Sequence, residues 1–140
     1  MKRKFISFIS LLAAVILCVC CMVSCGGKVK AIVLDNYEDL VAIKIVETDG
    51  KATLYDAMKE LKKEDKIFFE ADATGMITKI GEVENGTNSY WMLFTTDEEF
   101  SNAEWGTCTY AGQELKSAIL GAAGLIVKSD EIYVWQYQTF

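Results

Sequence analysis

Five aromatic side chains could form the wall of a ligand pocket: Tyr90, Trp91, Trp105, Tyr110 and Trp135. Stacked aromatic rings contribute binding free energy beyond the area that they bury, so such a wall suits a planar or sugar-like molecule. Trp105 is the strongest candidate, because the sequence places it in a loop rather than in a strand. The competing interpretation is that these rings belong to the core, where aromatic residues of strands usually lie.

Acidic residues are numerous, but their arrangement does not predict a catalytic pair. Asp97, Glu98 and Glu99 form a run that is typical of a solvated loop, with weak calcium binding as an alternative. A hydrolase would need two carboxylates at a fixed separation across a cleft, and nothing in the sequence fixes such a pair. The chain also has no histidine and no glycine-rich phosphate loop. We therefore expect no enzyme, no cofactor and no metal site.

The N-terminal segment and the rest of the chain differ in charge. Residues 1–24 carry three of the 14 basic residues and none of the 20 acidic ones, which leaves 11 basic against 20 acidic residues after them. An acidic surface repels phosphate backbones, so we expect no binding to nucleic acid. Only one of the five cysteines, Cys108, lies in the body of the chain. We expect it to be a small buried apolar side chain.

The N-terminus predicts export and attachment to a lipid. Lys2-Arg3-Lys4 precedes an uncharged run from Phe5 to Val23, which is typical of an export signal. The run ends in Ser24-Cys25-Gly26, which resembles the bacterial lipoprotein signal, where a small residue precedes a cysteine that is acylated. The resemblance implies a signal peptide over residues 1–24, lipidation of Cys25 and a membrane anchor. An uncleaved transmembrane helix is the alternative, and both place the following residues outside the cytoplasm.

The hydrophobic pattern predicts two strands, one helix and then several strands. The helix begins at Thr53, which with Asp56 can form a capping box, and its apolar stripe should face a sheet. Asn85-Gly86 predicts a hairpin turn between two strands. The run 88–95 is apolar on both sides, so we expect a central strand with Trp91 buried. The predicted strands cover 29–34, 40–47, 67–69, 76–83, 88–95, 107–110 and 131–139, and 114–118 is either a strand or the start of a short helix.

The hairpin from Gly75 to Leu93, with the predicted helix and the closing Glu131–Trp135, resembles the transcobalamin-like C-terminal domain family. The resemblance covers residues 40–140 and implies an α+β fold, in which a β-grasp-like mixed sheet packs on one main helix. Residues 25–39 would then hold the lipidated cysteine, a tether and the first strand. In related proteins this domain closes over one face of cobalamin.

Two functions follow as expectations. The first is a non-catalytic module at the cell surface that binds a corrinoid or another soluble small molecule. The second is an interaction or adhesion module that docks on another surface protein. The first is supported by the resemblance and by the aromatic side chains.

Overall fold

The computed structural model describes residues 27–140, so the predicted signal peptide (1–24) and Cys25 lie outside the described residues. Strands make up 52% of the structure and helix 9%. The elements of this part of the chain are β1 (Val29–Asn36), β2 (Leu40–Thr48), α1 (Leu54–Lys63), β3 (Phe69–Ala71), β4 (Ile77–Ile80), β5 (Val83–Glu84), β6 (Ser89–Thr95), β7 (Ser101–Tyr110), β8 (Gln113–Ala118) and β9 (Ile132–Thr139).

The strands form two sheets. The large sheet has the order β1-β2-β9-β6-β8-β7, and the small sheet has the order β3-β4-β5. Every pair of neighbouring strands in both sheets is antiparallel. β6 lies between β9 and β8, which confirms the prediction that the run 88–95 is a central strand.

The main core lies between the large sheet, the helix and the small sheet. Thr53 caps α1, because its hydroxyl accepts from the N–H of Asp56 (3.2 Å) and the Asp56 carboxylate accepts from the N–H of Thr53 (2.9 Å). The stripe predicted from the sequence faces this core, and all four of its side chains are buried: Leu54, Ala57, Met58 and Leu61. Both predictions for the helix are confirmed.

β6 and β9 supply apolar side chains to both faces of the large sheet, because successive side chains of a strand point to opposite sides. Trp91 of β6 and Trp135 of β9 belong to the main core on the helix side. Phe94 of β6 packs on the far side in a second, smaller core with Cys108 and Val134. Trp91 and Cys108 are both buried, as predicted.

The predicted α+β fold is wrong, because the described chain is more nearly all-β. A β-grasp-like mixed sheet is wrong as well, since the pairing is antiparallel throughout. The difference arises over residues 101–118, where the sequence predicts one short strand, 107–110, and allows either a strand or a short helix over 114–118. In the structure these residues form the strands β7 and β8. The helix α1 is short, and it covers one face of the large sheet together with the small sheet.

Asn85-Gly86 does not form the predicted hairpin. β4 pairs with β3 and β5, whereas β6 pairs with β9 and β8, so the strands on either side of this turn belong to different sheets. The Asn85 side chain joins the two sheets instead. Its amide nitrogen donates to the carbonyl of Ile77 (3.1 Å), and its oxygen accepts from the N–H of Trp91 (2.9 Å). A polar side chain thus replaces the ladder of hydrogen bonds that a hairpin would provide.

Candidate functional site

A cleft of about 440 Å³ opens where the large sheet meets two connecting segments. Its lining residues lie in 74–77, 91–93, 117–121 and 123–124 and at Trp135. The first range is the turn into β4, and the third and fourth follow from the end of β8. The volume lies within the range of about 300–1,000 Å³ that is usual for small-molecule sites. We call this site the cleft.

Trp91 is held firmly in the wall of the cleft. Its indole Nε1–H donates to the carbonyl of Val83 (2.8 Å), and its backbone N–H donates to Asn85. Its ring also packs against that of Tyr137, with the ring centroids 5.3 Å apart. The small sheet therefore fixes the orientation of an aromatic residue on the large sheet, and with it the shape of this wall.

Trp135 lines the cleft as well, but its polar atom is not satisfied. The side chain is only 4% exposed, and its Nε1 is shielded from solvent without a hydrogen-bond partner among residues 27–140. A buried donor without an acceptor is destabilising, and most such groups in native proteins are paired. Trp91 and Trp135 therefore differ in one respect, which is that only Trp135 has a free N–H.

The rim of the cleft is made of large apolar side chains that are exposed to solvent. Met76 is 54% exposed, and Ile119 and Leu120, which follow the end of β8, are also exposed. Single exposed apolar side chains are common, but a group of them around an apolar cleft is typical of a binding site.

Two segments touch at one end of the cleft. Gly75 has a φ of +86°, and a Cβ atom at this position would lie 2.7 Å from the Cβ of Ala123. The turn is held from the other side by Asp72, whose carboxylate accepts from the hydroxyl (2.6 Å) and N–H (2.8 Å) of Thr74 and from the N–H of Met76 (3.1 Å). These hydrogen bonds, that of the Thr74 hydroxyl first, lower the pKa of Asp72. Glycine is needed here both for the backbone conformation and for the close approach.

No lining residue of the cleft carries an ionisable side chain. This is notable in a chain of which 24% of the residues are charged. The arrangement therefore provides mainly aromatic and aliphatic surface, together with the hydroxyl-bearing residues Thr74 and Ser117.

Two of the five aromatic candidates, Trp91 and Trp135, come together in the cleft, and the other three do not. Trp105 was predicted to lie in a loop, but it lies in β7. The pairing with β8 moves from Asn102↔Ser117 to Thr107↔Lys116, so residues 103–106 form a bulge that carries Trp105 into solvent, where it is 62% exposed.

Tyr90 and Tyr110 serve other purposes. The Tyr90 hydroxyl donates to the carbonyl of Thr87 (2.9 Å), near the start of its own strand. Tyr110 packs against the smaller core on the far side of the large sheet, and its hydroxyl donates to the carboxylate of Asp35. Neither lines the cleft.

The sequence did not reveal the apolar rim. The sequence predicts that Met76 begins a strand, and it predicts no definite structure for Ile119 and Leu120. The available signal was the small apolar run from Gly121 to Gly124, which suits close packing of backbone segments. That run does pack closely, against Gly75, but only the fold shows that the two segments border one cleft.

The acidic run 97–99 is not simply a solvated loop, since Asp97 is only 2% exposed. Lys128 bridges Asp97 Oδ1 (2.9 Å) and Glu99 Oε2 (2.5 Å), and these hydrogen bonds, that to Glu99 first, raise the pKa of Lys128. Asp97 is thus one partner of a half-buried ion pair. Among residues 27–140, no three side chains that commonly bind metals lie together as a metal site would require.

Within the described part of the chain, no helix combines the length and the apolar character that are needed to cross a membrane. No protein-family model, curated protein or solved structure matches the sequence. The resemblance to the transcobalamin-like family therefore stays a prediction.

Proposed function

We propose that this chain is an extracytoplasmic lipoprotein, tethered to the membrane through acylated Cys25, whose cleft binds a small molecule without transforming it. The observation that carries this proposal is the cleft itself, with two tryptophan side chains in its wall and a rim of exposed apolar side chains. Apolar surface held open to water is costly, and a ligand that covers it gains the corresponding free energy.

The anchor is supported by the sequence around Cys25, where an uncharged run ends in a small residue and a cysteine. Metabolic labelling of the full chain with an alkyne fatty acid tests it. Cys25→Ala should abolish the label and release the protein from the membrane fraction, whereas Cys21→Ala should leave both unchanged. Labelling that persists in Cys25→Ala, or that depends on Cys21, would contradict the assignment.

Binding in the cleft is tested with the full chain in lipid nanodiscs. A panel of corrinoids, sugars and uncharged aromatic compounds is added, and the melting temperature is measured. A ligand that prefers the folded state must raise it. We expect Met76→Glu, which places a charge on the rim, to reduce this increase. Ile32→Glu, an exposed apolar position on β1 outside the cleft, is the matched control.

The size of the cleft bears on the class of ligand. A corrinoid is much larger than about 440 Å³, so the cleft could hold only part of one. A compact molecule of one to three rings would fit as a whole. We therefore expect compact aromatic compounds to raise the melting temperature more than corrinoids do, and equal or larger effects of corrinoids would favour the resemblance-based expectation.

A second candidate function is docking on another surface protein, and one observation favours it. Trp105 lies exposed on the bulge of β7, which is an edge strand of the large sheet. Tryptophan is enriched in the cores of protein interfaces. Trp105→Ala should then weaken cross-linking to one defined membrane protein in intact cells while ligand binding in the cleft is unchanged. Unchanged cross-linking would remove this candidate.

A further inference from the structure

We infer that the ligand of the cleft is an uncharged, mainly apolar molecule with one hydrogen-bond acceptor, which pairs with Nε1–H of Trp135. The inference rests on the proposed function, because it specifies what the same cleft would bind. Three observations carry it: the absence of charge in the lining, the sign of the surrounding charge, and the unsatisfied donor.

A charged ligand would find no partner in the cleft. None of the lining residues is ionisable, so a carboxylate or an ammonium group would lose its hydration without gaining a counter-ion. The chain outside the cleft has an excess of acidic residues, which further disfavours an anion. An uncharged ligand avoids both costs.

The ligand's acceptor is expected at a particular place. The polar groups of the turn at Thr74 and Met76 are already bound to Asp72, which leaves the Ser117 hydroxyl and the two indole N–H groups as side-chain donors of the lining. The indole N–H of Trp91 is bound to Val83. Trp135 alone of the two indoles has no acceptor among residues 27–140, and its Nε1 is closed to solvent, so bulk water does not satisfy it. Because Nε1 is equally closed to a ligand acceptor of the size of water in this structure, a ligand can satisfy it only if the Trp135 side chain or a neighbouring lining side chain shifts as the cleft fills.

Four compounds that share one ring system test this directly. Naphthamide is uncharged and has an acceptor, naphthalene is uncharged and has none, naphthoate is an anion, and naphthylmethylammonium is a cation. Their affinities for the full chain in phosphatidylcholine nanodiscs are measured by equilibrium dialysis, and empty nanodiscs correct for partition into lipid. We expect naphthamide to bind about tenfold more tightly than either ion, and several-fold more tightly than naphthalene.

Two matched variants locate the acceptor. Trp135→Phe should remove the preference for naphthamide over naphthalene, since it removes the free donor. Trp91→Phe should keep that preference, because the N–H of Trp91 is already used within the protein. A preference that survives in Trp135→Phe would overturn the assignment of the donor. If either variant fails to fold, the comparison of the four compounds with the unmodified chain still decides the charge and the need for an acceptor.

The failures of the two proposals differ. Binding of naphthoate or naphthylmethylammonium as tightly as naphthamide would overturn the inference about the ligand and leave a binding cleft in place. Equal binding of naphthamide and naphthalene would overturn the role of the acceptor. No binding of any of the four compounds would count against both the inference and the proposed function.

Discussion

The hydroxyl of Tyr110 on β7 donates a hydrogen bond to the carboxylate of Asp35 on β1, and these strands are the two edges of the large sheet. In a flat sheet, five strand spacings of about 4.8 Å would place the edges about 24 Å apart, far beyond the reach of two side chains. The large sheet therefore curls strongly, with the smaller core on its concave face. A shift in the register of β1 between Val33 and Asp35 brings the Asp35 side chain to that face.

The bond between the edges should stabilise the curl. We expect Tyr110→Phe to lower the free energy of unfolding by about 1–2 kcal/mol, because a hydrogen bond to a charged group is lost at a partly exposed site. Urea denaturation followed by far-ultraviolet circular dichroism measures this. Tyr37→Phe, which removes a hydroxyl from a well exposed side chain, is the control. Equal midpoints for Tyr110→Phe and the unmodified chain would show that the curl does not depend on this bond.

Stability should fall at alkaline pH. Burial, followed by the hydrogen bond and charge of Asp35, raises the pKa of Tyr110 from 10.0 to about 12, and burial raises the pKa of Tyr133 to about 12 and that of the Cys108 thiol from 9.0 to about 11. Below pH 9 the folded and the unfolded chain both keep these protons, and the contribution of the three groups to the free energy of unfolding is fully present. From about pH 9 to 12 the unfolded chain releases protons that the folded chain retains, so the free energy of unfolding falls.

Denaturant titrations at intervals across this pH range measure the effect. Tyr110→Phe should show a shallower fall than the unmodified chain, since one of the groups whose pKa is raised in the folded state is gone. A free energy of unfolding that stays constant from about pH 9 to 12 would show that these pKa values are not raised in the folded state.

The ion pair of Lys128 should matter more than a surface pair. Lys128→Met leaves the Asp97 carboxylate buried without its counter-ion, which is destabilising. Lys30→Met breaks the pair between Lys30 and Glu47, whose side chains are both well exposed, and such pairs contribute little. We therefore expect the urea midpoint to fall clearly in the first variant and hardly at all in the second. Equal midpoints would show that the Lys128 pair is worth no more than a surface pair.

The contact between Gly75 and Ala123 should control the shape of the cleft. Gly75→Ala and Gly50→Ala both put a side chain at a positive φ (+86° and +80°), so each should cost about 1–2 kcal/mol of stability. Only the first also collides with a neighbouring segment, since nothing lies within 4 Å at Gly50. We expect Gly75→Ala alone to lower the affinity for naphthamide, as measured by equilibrium dialysis. If the two variants bind naphthamide with equal affinity, the contact between Gly75 and Ala123 does not control binding.

Much of the local structure was determined by the sequence. The capping residues and apolar stripe of α1 follow from a period near four residues, and the buried central strand follows from alternation that is apolar on both sides. Each of these signals depends on neighbours in the chain, and the structure confirms each of them. Two of the five aromatic candidates, Trp91 and Trp135, line the cleft, and their role in binding stays a prediction.

The tertiary structure decided what the local pattern left open. Asn85-Gly86 has the sequence of a hairpin turn, yet the strands it joins pair with other partners, and Trp105 lies on a bulge of β7 rather than in a loop. The cleft likewise needs Gly75 to meet Ala123, 48 residues further along the chain. Strand pairing and contacts between distant segments depend on how all the apolar faces are covered at once. No window of neighbouring residues contains that information.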